Sequence, residues 1–408
     1  MTASADARHD HRATAGARER SDLPAAGRVV VKIGSSSLTR ADGRLNVPAL
    51  RKLVDVLAGV VERGTEVVLV TSGSISAGFM PLGLERRPDD VATAQAAAAV
   101  GQSSLMATYT DAFGAYDITV GQVLMTAADT VHRARYRNAL QVLDRLMELG
   151  AVPIVNENDA LATSELRFGD NDRLAALVAQ LVRADALVLL TDVDGLYDAP
   201  PSQPGARRIP LVTDLADVAD VEVTGRGSSF GTGGMVTKLQ SAEMATQTGI
   251  PVMLTTAANV GPAFAGADVG TWFTASPNRA SRRKVWLEHA AAMHGRIFID
   301  AGAVRALRER GASLLAPGIR RTEGDFVAGD PVEILTEQGE PVAHGFVGYD
   351  AVELAPMLGR SSDELREHFG DHRIRSIVHR DDLALVRPTV TDLGGAPIAP
   401  GARMPVAD

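Results

Sequence analysis

The chain of 408 residues contains no cysteine. Disulfides, thiolate zinc sites, iron–sulfur ligation and a cysteine nucleophile are therefore excluded. That absence fits a reducing cytoplasm. Nowhere do about 18 apolar residues run together, as a membrane-spanning helix requires, so a cytoplasmic location is expected. The first residues lack the apolar core of a signal peptide. Positive charge is not in excess either. A formal net charge of −9 argues against bulk nucleic-acid binding by the chain as a whole. No internal repeat is present. A Ser–His–Asp arrangement, HExxH and zinc-ligand spacing are missing, and GxGxxG is absent from the first strand–helix turn. The nine histidines are scattered, and none is a candidate catalyst.

What remains is a chain too long for one small core, so two domains, or three, are expected. Residues 1–26 are rich in Ala, Arg, Asp and His, carry no apolar period, and read as a disordered extension. From Arg28 onward, short runs rich in Val, Ile and Leu occur at 29–33, 67–71, 118–123, 151–155, 186–191 and 251–255. Most lack in/out alternation, as strands buried on both faces do. Helical spacing lies between them: Leu50, Leu53, Val54 and Leu57; Leu140, Leu143, Leu146 and Met147; Leu174, Leu177, Val178 and Leu181. The alternation predicts an α/β domain, a mainly parallel open sheet with helices on both faces, up to about residue 257. The segment ASPNRASRRK (275–284), with Arg279, Arg282, Arg283 and Lys284, reads as an exposed linker. Strand-like pieces at 296–299, 331–335 and 342–347, with a helix near 303–310, predict a compact, mostly β second domain.

Ligands of an open parallel sheet bind at the carboxyl ends of its strands. After the first strand stand Lys32-Ile33-Gly34 and three serines. Their amides and ammonium can cradle phosphate, or they form a plain turn with a solvated lysine. After the second, Thr71-Ser72-Gly73 leads to Gly78, either a close approach for a ligand or an ordinary βα loop. After the fourth come Asn156-Glu157-Asn158-Asp159 and then residues 168–172. These clusters can hold Mg²⁺ through water, grip an ammonium group and orient lysines. A solvated acidic loop is the alternative, and Asp172 can instead cap a helix starting near Arg173. After the fifth, Thr191-Asp192-Val193-Asp194-Gly195 either contacts a nucleotide or is turn chemistry. The strongest local signal is Gly231-Thr232-Gly233-Gly234-Met235-Val236-Thr237-Lys238. It opens a helix on which Met235, Leu239 and Ala242 share a face. A glycine-rich loop at a helix N-terminus is an anion site, with Lys238 one turn inside. It is not a Walker A loop, which would place Gly where Thr237 stands.

In chain order, VVVKIGSSSLT (29–39), TSGSISAG (71–78), NENDAL (156–161), FGDND (168–172), LLTDVDGLY (189–197) and GTGGMVTKLQSAEMA (231–245) resemble the motifs of the amino acid kinase family. NENDAL, FGDND and the pieces at 313–315, 318–319, 343–345 and 378–382 resemble the branch that carries a C-terminal PUA domain and phosphorylates free glutamate. The resemblance implies a kinase domain over 27–275, a linker at 276–284, a PUA-like domain over 285–365 and a tail from 366 to 408. It implies ATP-dependent phosphorylation, with Mg²⁺, of the side-chain carboxylate of L-glutamate to L-glutamyl 5-phosphate, the first step of proline biosynthesis. Carried over residue by residue, Lys32 and Lys238 would stabilise the transferring phosphoryl group, and Asp172 would hold both lysines. Lys32, Thr191, Asp192, Thr232, Gly233, Gly234, Met235, Val236, Thr237 and Lys238 would bind ATP. Ser72, Asp159 and Asn171 would bind glutamate. No direct metal ligand is assigned. The resemblance also implies a homo-oligomer, coupling to glutamyl phosphate reductase, and feedback by proline at the glutamate site, through the loop after Phe168. RNA binding by the PUA-like domain stays open.

Overall fold

The computed structural model describes residues 17–40, 42–84, 88, 90–126, 129, 133–161, 171–218, 234–277, 284, 285, 287, 293–361, 364, 365, 367 and 376–386. Its first domain contains strands β1 (Arg28–Ile33), β2 (Glu66–Val70), β3 (Val120–Met125), β4 (Val152–Glu157), β5 (Ala186–Thr191), β6 (Leu196–Tyr197), β7 (Arg208–Ile209), β8 (Leu211–Val212), β9 (Val252–Thr256) and β10 (Thr271–Phe273). Its helices are α1 (Ser35–Leu38), α2 (Val47–Glu62), α3 (Ser74–Phe79), α4 (Val91–Gly114), α5 (Arg133–Glu148), α6 (Asn171–Leu181), α7 (Met235–Gln247) and α8 (Val260–Phe264). Eight strands form one sheet in the order β3-β4-β2-β1-β5-β9-β10-β8. All neighbours run parallel except β9 and β10. β6 and β7 form a separate antiparallel hairpin.

The missing alternation in the strands has a direct cause. Val30 of β1 feeds a core shared with α5, α6 and α7, whereas Val29, Val31 and Ile33 feed a second core shared with α2, α4 and α8. β5 is divided the same way, Leu187 and Leu189 against Ala186, Val188 and Leu190. Both faces demand apolar side chains, so every position reads alike. The expected stripe Leu50, Leu53, Val54 and Leu57 of α2 is buried, as is Leu174, Leu177, Val178 and Leu181 of α6.

Close packing of α3 on α4 makes Gly101 indispensable. A Cβ there would stand 1.9 Å from the Ser74 carbonyl oxygen and 2.4 Å from the Gly78 nitrogen, both backbone atoms that cannot rotate aside. Gly101→Ala is expected to cost about 3 kcal/mol or more of stability, read as a lower denaturant midpoint. It should also displace the loop carrying Ser72.

Two expectations need correction. Of the extension read as disordered, residues 1–16 lie outside the described residues, but Arg20–Ala25 form a 3₁₀ turn. Leu23 of that turn is buried in the α2–α8 core, and Glu19 and Asp22 form a reciprocal capping box. Leu23, with Ala17 and Ala26 in the same core, the cap and the contacts of Arg20 order it, and none of these produces a periodic pattern. The second correction concerns the segment from 366 onward, expected as a tail. It supplies β15 (Val378–Leu385), after β11 (Gly295–Ile299), β12 (Ile319–Glu323), β13 (Pro331–Thr336) and β14 (Pro341–Val347). Ala343 of β14 pairs with Leu385 of β15, so β15 completes a five-stranded sheet ordered β12-β11-β13-β14-β15.

The second domain also holds α9 (Ala301–Arg310) and α10 (Ala351–Leu354). Residues 278–283 of the basic segment lie outside the described residues. Just beyond Lys284, Val285 and Leu287 are fully buried in the first domain's core, where Phe346 and Ala384 of the second domain join them. His344 Nδ1 lies 3.0 Å from the Leu287 carbonyl. A carbonyl only accepts, so the ring carries its proton on Nδ1. Arginines of this domain are answered by carboxylates: Arg296 by Glu333 at 3.3 Å, Arg320 by Asp300 at 3.0 Å, and Arg321 by Glu323. Among the described residues no helix is long and apolar enough to cross a membrane.

Candidate active site

The strand order reverses at β1. The chain moves from β1 to β2 on one side, fills β3 and β4 beyond it, then returns to place β5 on β1's other flank. Such a switch point opens a crevice at the carboxyl ends of the strands. Lys32 lies near the end of β1 and Thr191 at the end of β5; Ser72 follows β2, and Asp159 follows β4. Ser36, after β1, donates to Asp192 Oδ1 across the crevice at 3.4 Å, and Thr191 donates to the same oxygen at 3.2 Å.

Asp172 is the hub. It occupies the first turn of α6, so it does not cap that helix from outside. Its side chain is completely buried, and one ammonium group faces each carboxylate oxygen. Lys32 Nζ stands 2.5 Å from Oδ1, and Lys238 Nζ stands 3.0 Å from Oδ2. The lysines themselves are only 2% and 8% exposed. Two buried ammonium groups converging on one carboxylate make a point suited to receive a bound anion. Lys238 projects from the first turn of α7, and Gly234, which caps that helix, is extended. Leu239 and Ala242 are buried on the core side, and Met235 packs against the same core, which fixes the helix's rotation.

Asn171, one residue before the hub, serves a second network. Its Nδ2 lies 2.6 Å from the Thr71 carbonyl, 2.9 Å from Ser72 Oγ and 2.8 Å from Asn156 Oδ1. Ser74 donates to Asp159 Oδ2 at 2.8 Å. Thus Ser72 and Asn171 are in contact, and Asp159 is held by Ser74 at the start of α3. Two members were not singled out from the sequence. Gln102 of α4 accepts from Asn156 Nδ2 at 2.8 Å, and Tyr109 shares a 2.8 Å hydrogen bond with Thr71. Burial pushes the Tyr109 hydroxyl above the ordinary tyrosine range, so it stays protonated. The one sequence signal for Gln102 is a lone amide in the alanine-rich run AAAAVGQSS. Asn171 Oδ1 and Gln102 Nε2 are buried without a hydrogen-bond partner among the described residues.

Of the expected nucleotide residues, Thr191, Asp192, Gly234, Met235, Val236, Thr237 and Lys238 are described; Thr232 and Gly233 lie outside the described residues, as does the loop at 162–170. The three described histidines, 294, 344 and 379, all belong to the second domain. Among the described residues no group of three acidic or histidine side chains is arranged to hold a metal ion.

Paired ammonium groups on a buried carboxylate, at the switch point of a parallel sheet, are equipment for moving a phosphoryl group, and the class is a phosphotransferase. A model of the amino acid kinase family matches residues 27–256, and one of the PUA domain matches residues 295–369. The chain belongs to the amino acid kinase family. It is 55% identical over 365 residues to "Glutamate 5-kinase" of Bifidobacterium longum (strain DJO10A), covering 89% of this chain and 97% of that protein. Similarity to "Glutamate 5-kinase" of Streptomyces coelicolor is 53% over 375 residues, 92% of this chain and all of the relative. Among solved structures, carbamate kinase from Giardia lamblia bound to AMP-PNP aligns with 62% of this chain at 18% identity, over 100% of its own length, with a TM-score of 0.46.

Proposed function

We propose that the chain transfers the γ-phosphoryl group of ATP to the side-chain carboxylate of L-glutamate, forming L-glutamyl 5-phosphate. The observation that carries this is the junction of Lys32 and Lys238 on Asp172, one residue from the Asn171 amide network. ATP and glutamate are both anionic and repel one another. The reaction therefore needs charge neutralisation and in-line placement, and little covalent help. The two lysines supply positive charge on either side of the migrating phosphoryl group, and Asp172 sets their separation. A carboxylate is already ionised at neutral pH, so the nucleophile needs no base, in keeping with a site that holds no histidine among the described residues.

The acceptor's groups match what the second network leaves open. The unpaired Asn171 oxygen suits an ammonium group, the unpaired Gln102 amide suits a carboxylate, and Ser72 and Asp159 flank them. Thr191, Asp192 and the start of α7 face the nucleotide, with Thr232 and Gly233 assigned to the same loop. Magnesium fits as the partner of ATP: Asp172 already serves two lysines, so the ion would be held chiefly by phosphate oxygens and water. It would draw charge from those oxygens. The resemblance adds proline feedback, a homo-oligomer, a cytoplasmic location and delivery of the product to glutamyl phosphate reductase as further proposals. We assign 27–275 to the kinase domain and the sheet up to β15 to the PUA-like domain.

The test offers ATP and Mg²⁺ with L-glutamate, acetylglutamate, aspartate, carbamate or UMP separately, with hydroxylamine to trap an acyl phosphate. Hydroxamate with glutamate alone is expected. ADP release with another acceptor, and none with glutamate, would refute the assignment.

A further inference from the structure

The nucleotide-facing loop after β5 does not stand alone. We propose that the N-terminal arm, through Arg20, is a positioning element for ATP, acting through the β6–β7 hairpin. This rests on the kinase function proposed above and deepens its nucleotide half.

The chain of contacts is continuous. Asp192 and Asp194 lead into Gly195, which enters β6. A Cβ at Gly195 would fall 2.8 Å from Thr271 Oγ1 and 3.1 Å from both Cγ and Cδ of Arg208, so the loop's stem lies directly on these two side chains. Thr271 accepts from the Leu196 amide at 2.8 Å and donates to the Ile209 carbonyl at 2.6 Å, clasping both strands of the hairpin. Tyr197 donates to Asp194 Oδ1 at 2.7 Å. Arg208, opposite Tyr197 in the hairpin, donates to the Gly270 carbonyl, to the Asp268 carbonyl at 3.3 Å and to Asp268 Oδ1 at 3.4 Å.

Arg20 reaches this same junction from the far end of the sequence. It donates to Asp268 Oδ1 and to the Pro210 carbonyl, and lies 3.4 Å from the Gly270 carbonyl. Pro210 joins β7 to β8, so Arg20 ties the hairpin's exit to the turn before β10. Two guanidinium groups thus share one carboxylate, which links the arm to the hairpin's Arg208. Burial and the neighbouring Arg208 push the Arg20 pKa down, as two cations packed together must. The arm's own anchoring, Leu23 in the core and the Glu19–Asp22 capping box, gives Arg20 a rigid base. Charge-assisted contacts on three backbone and side-chain acceptors exceed what merely covering the core would require.

The test uses the full chain and the variants Arg20→Ala, Arg20→Lys and Asp268→Ala. In Arg20→Ala the KM for ATP should rise about tenfold, the worth of one charge-assisted hydrogen bond. The kcat and the KM for glutamate should stay within about twofold. Asp268→Ala should shift in the same direction, and the double variant should add little, because both break one junction. Arg20→Lys should recover part of the affinity. Binding of a non-hydrolysable ATP analogue, measured without acceptor, should weaken by the same factor. That readout separates the two proposals: weakened analogue binding in Arg20→Ala supports the arm's role even if wild type fails to phosphorylate glutamate. A lowered melting temperature with unchanged analogue affinity would make the arm a structural staple and overturn the inference. So would an equal rise in both KM values.

Discussion

Replacing Lys238 by alanine is expected to lower kcat by about 10²–10³-fold, the effect of removing one preorganised donor from a developing oxyanion. The KM for glutamate should move little, because the ammonium group faces Asp172 and the phosphate path, away from the Asn171 network. The fold should survive. Asp172 keeps Lys32 at 2.5 Å, so no buried charge is orphaned. Lys32→Ala should cost a similar factor, and the double variant far less than the product of the two, because the lysines act on one phosphoryl group. Steady-state kinetics with a denaturation curve for each variant checks this, and near-normal turnover in Lys238→Ala would rule out the role given to it.

Asp172 should behave differently, because its removal exposes two problems at once. In Asp172→Ala, Lys32 and Lys238 remain buried and lose the carboxylate they share. The loss of one partner from a buried ionic cluster costs about 3–5 kcal/mol of stability. Asp172→Asn keeps the shape and lacks the charge. It should fold better, yet turn over about a hundredfold more slowly because the ammonium groups are no longer held in register. The KM for ATP should not rise in that variant, since lysines freed from the Asp172 charge attract phosphate at least as strongly. An Asp172→Asn enzyme with raised KM for ATP and unchanged kcat would place Asp172 in binding alone.

Which parts of this were legible in the sequence follows from physics. β5 was bounded correctly because both its faces are buried and every residue from Ala186 to Thr191 is apolar or small. β3 begins two residues later than its apolar run, at Val120, because it is the sheet's edge strand and only its last residue is buried. α4 escaped notice: alanine lies all round it, so no stripe marks a face. Residues at the strand ends were recoverable because a parallel sheet delivers them all to one edge. Their pairing is written in no local pattern, since the contact of Asp172 with lysines from β1 and α7 depends on the folded topology; the family resemblance alone implied that Asp172 holds both lysines. The same holds for the arm. One leucine, two alanines and an arginine carry its docking, and they form no pattern.

The central claim is that a carboxylate oxygen of glutamate attacks the γ-phosphorus directly between the two lysines. Glutamate labelled with ¹⁸O in its side-chain carboxylate tests this with one measurement. The acyl phosphate formed carries one labelled bridging oxygen, and hydroxylamine then cleaves it at carbon, leaving that oxygen on phosphate. Mass spectrometry of the released phosphate should show one ¹⁸O per turnover. Phosphate without label would mean that water, and not the carboxylate, receives the phosphoryl group, and the account would be contradicted.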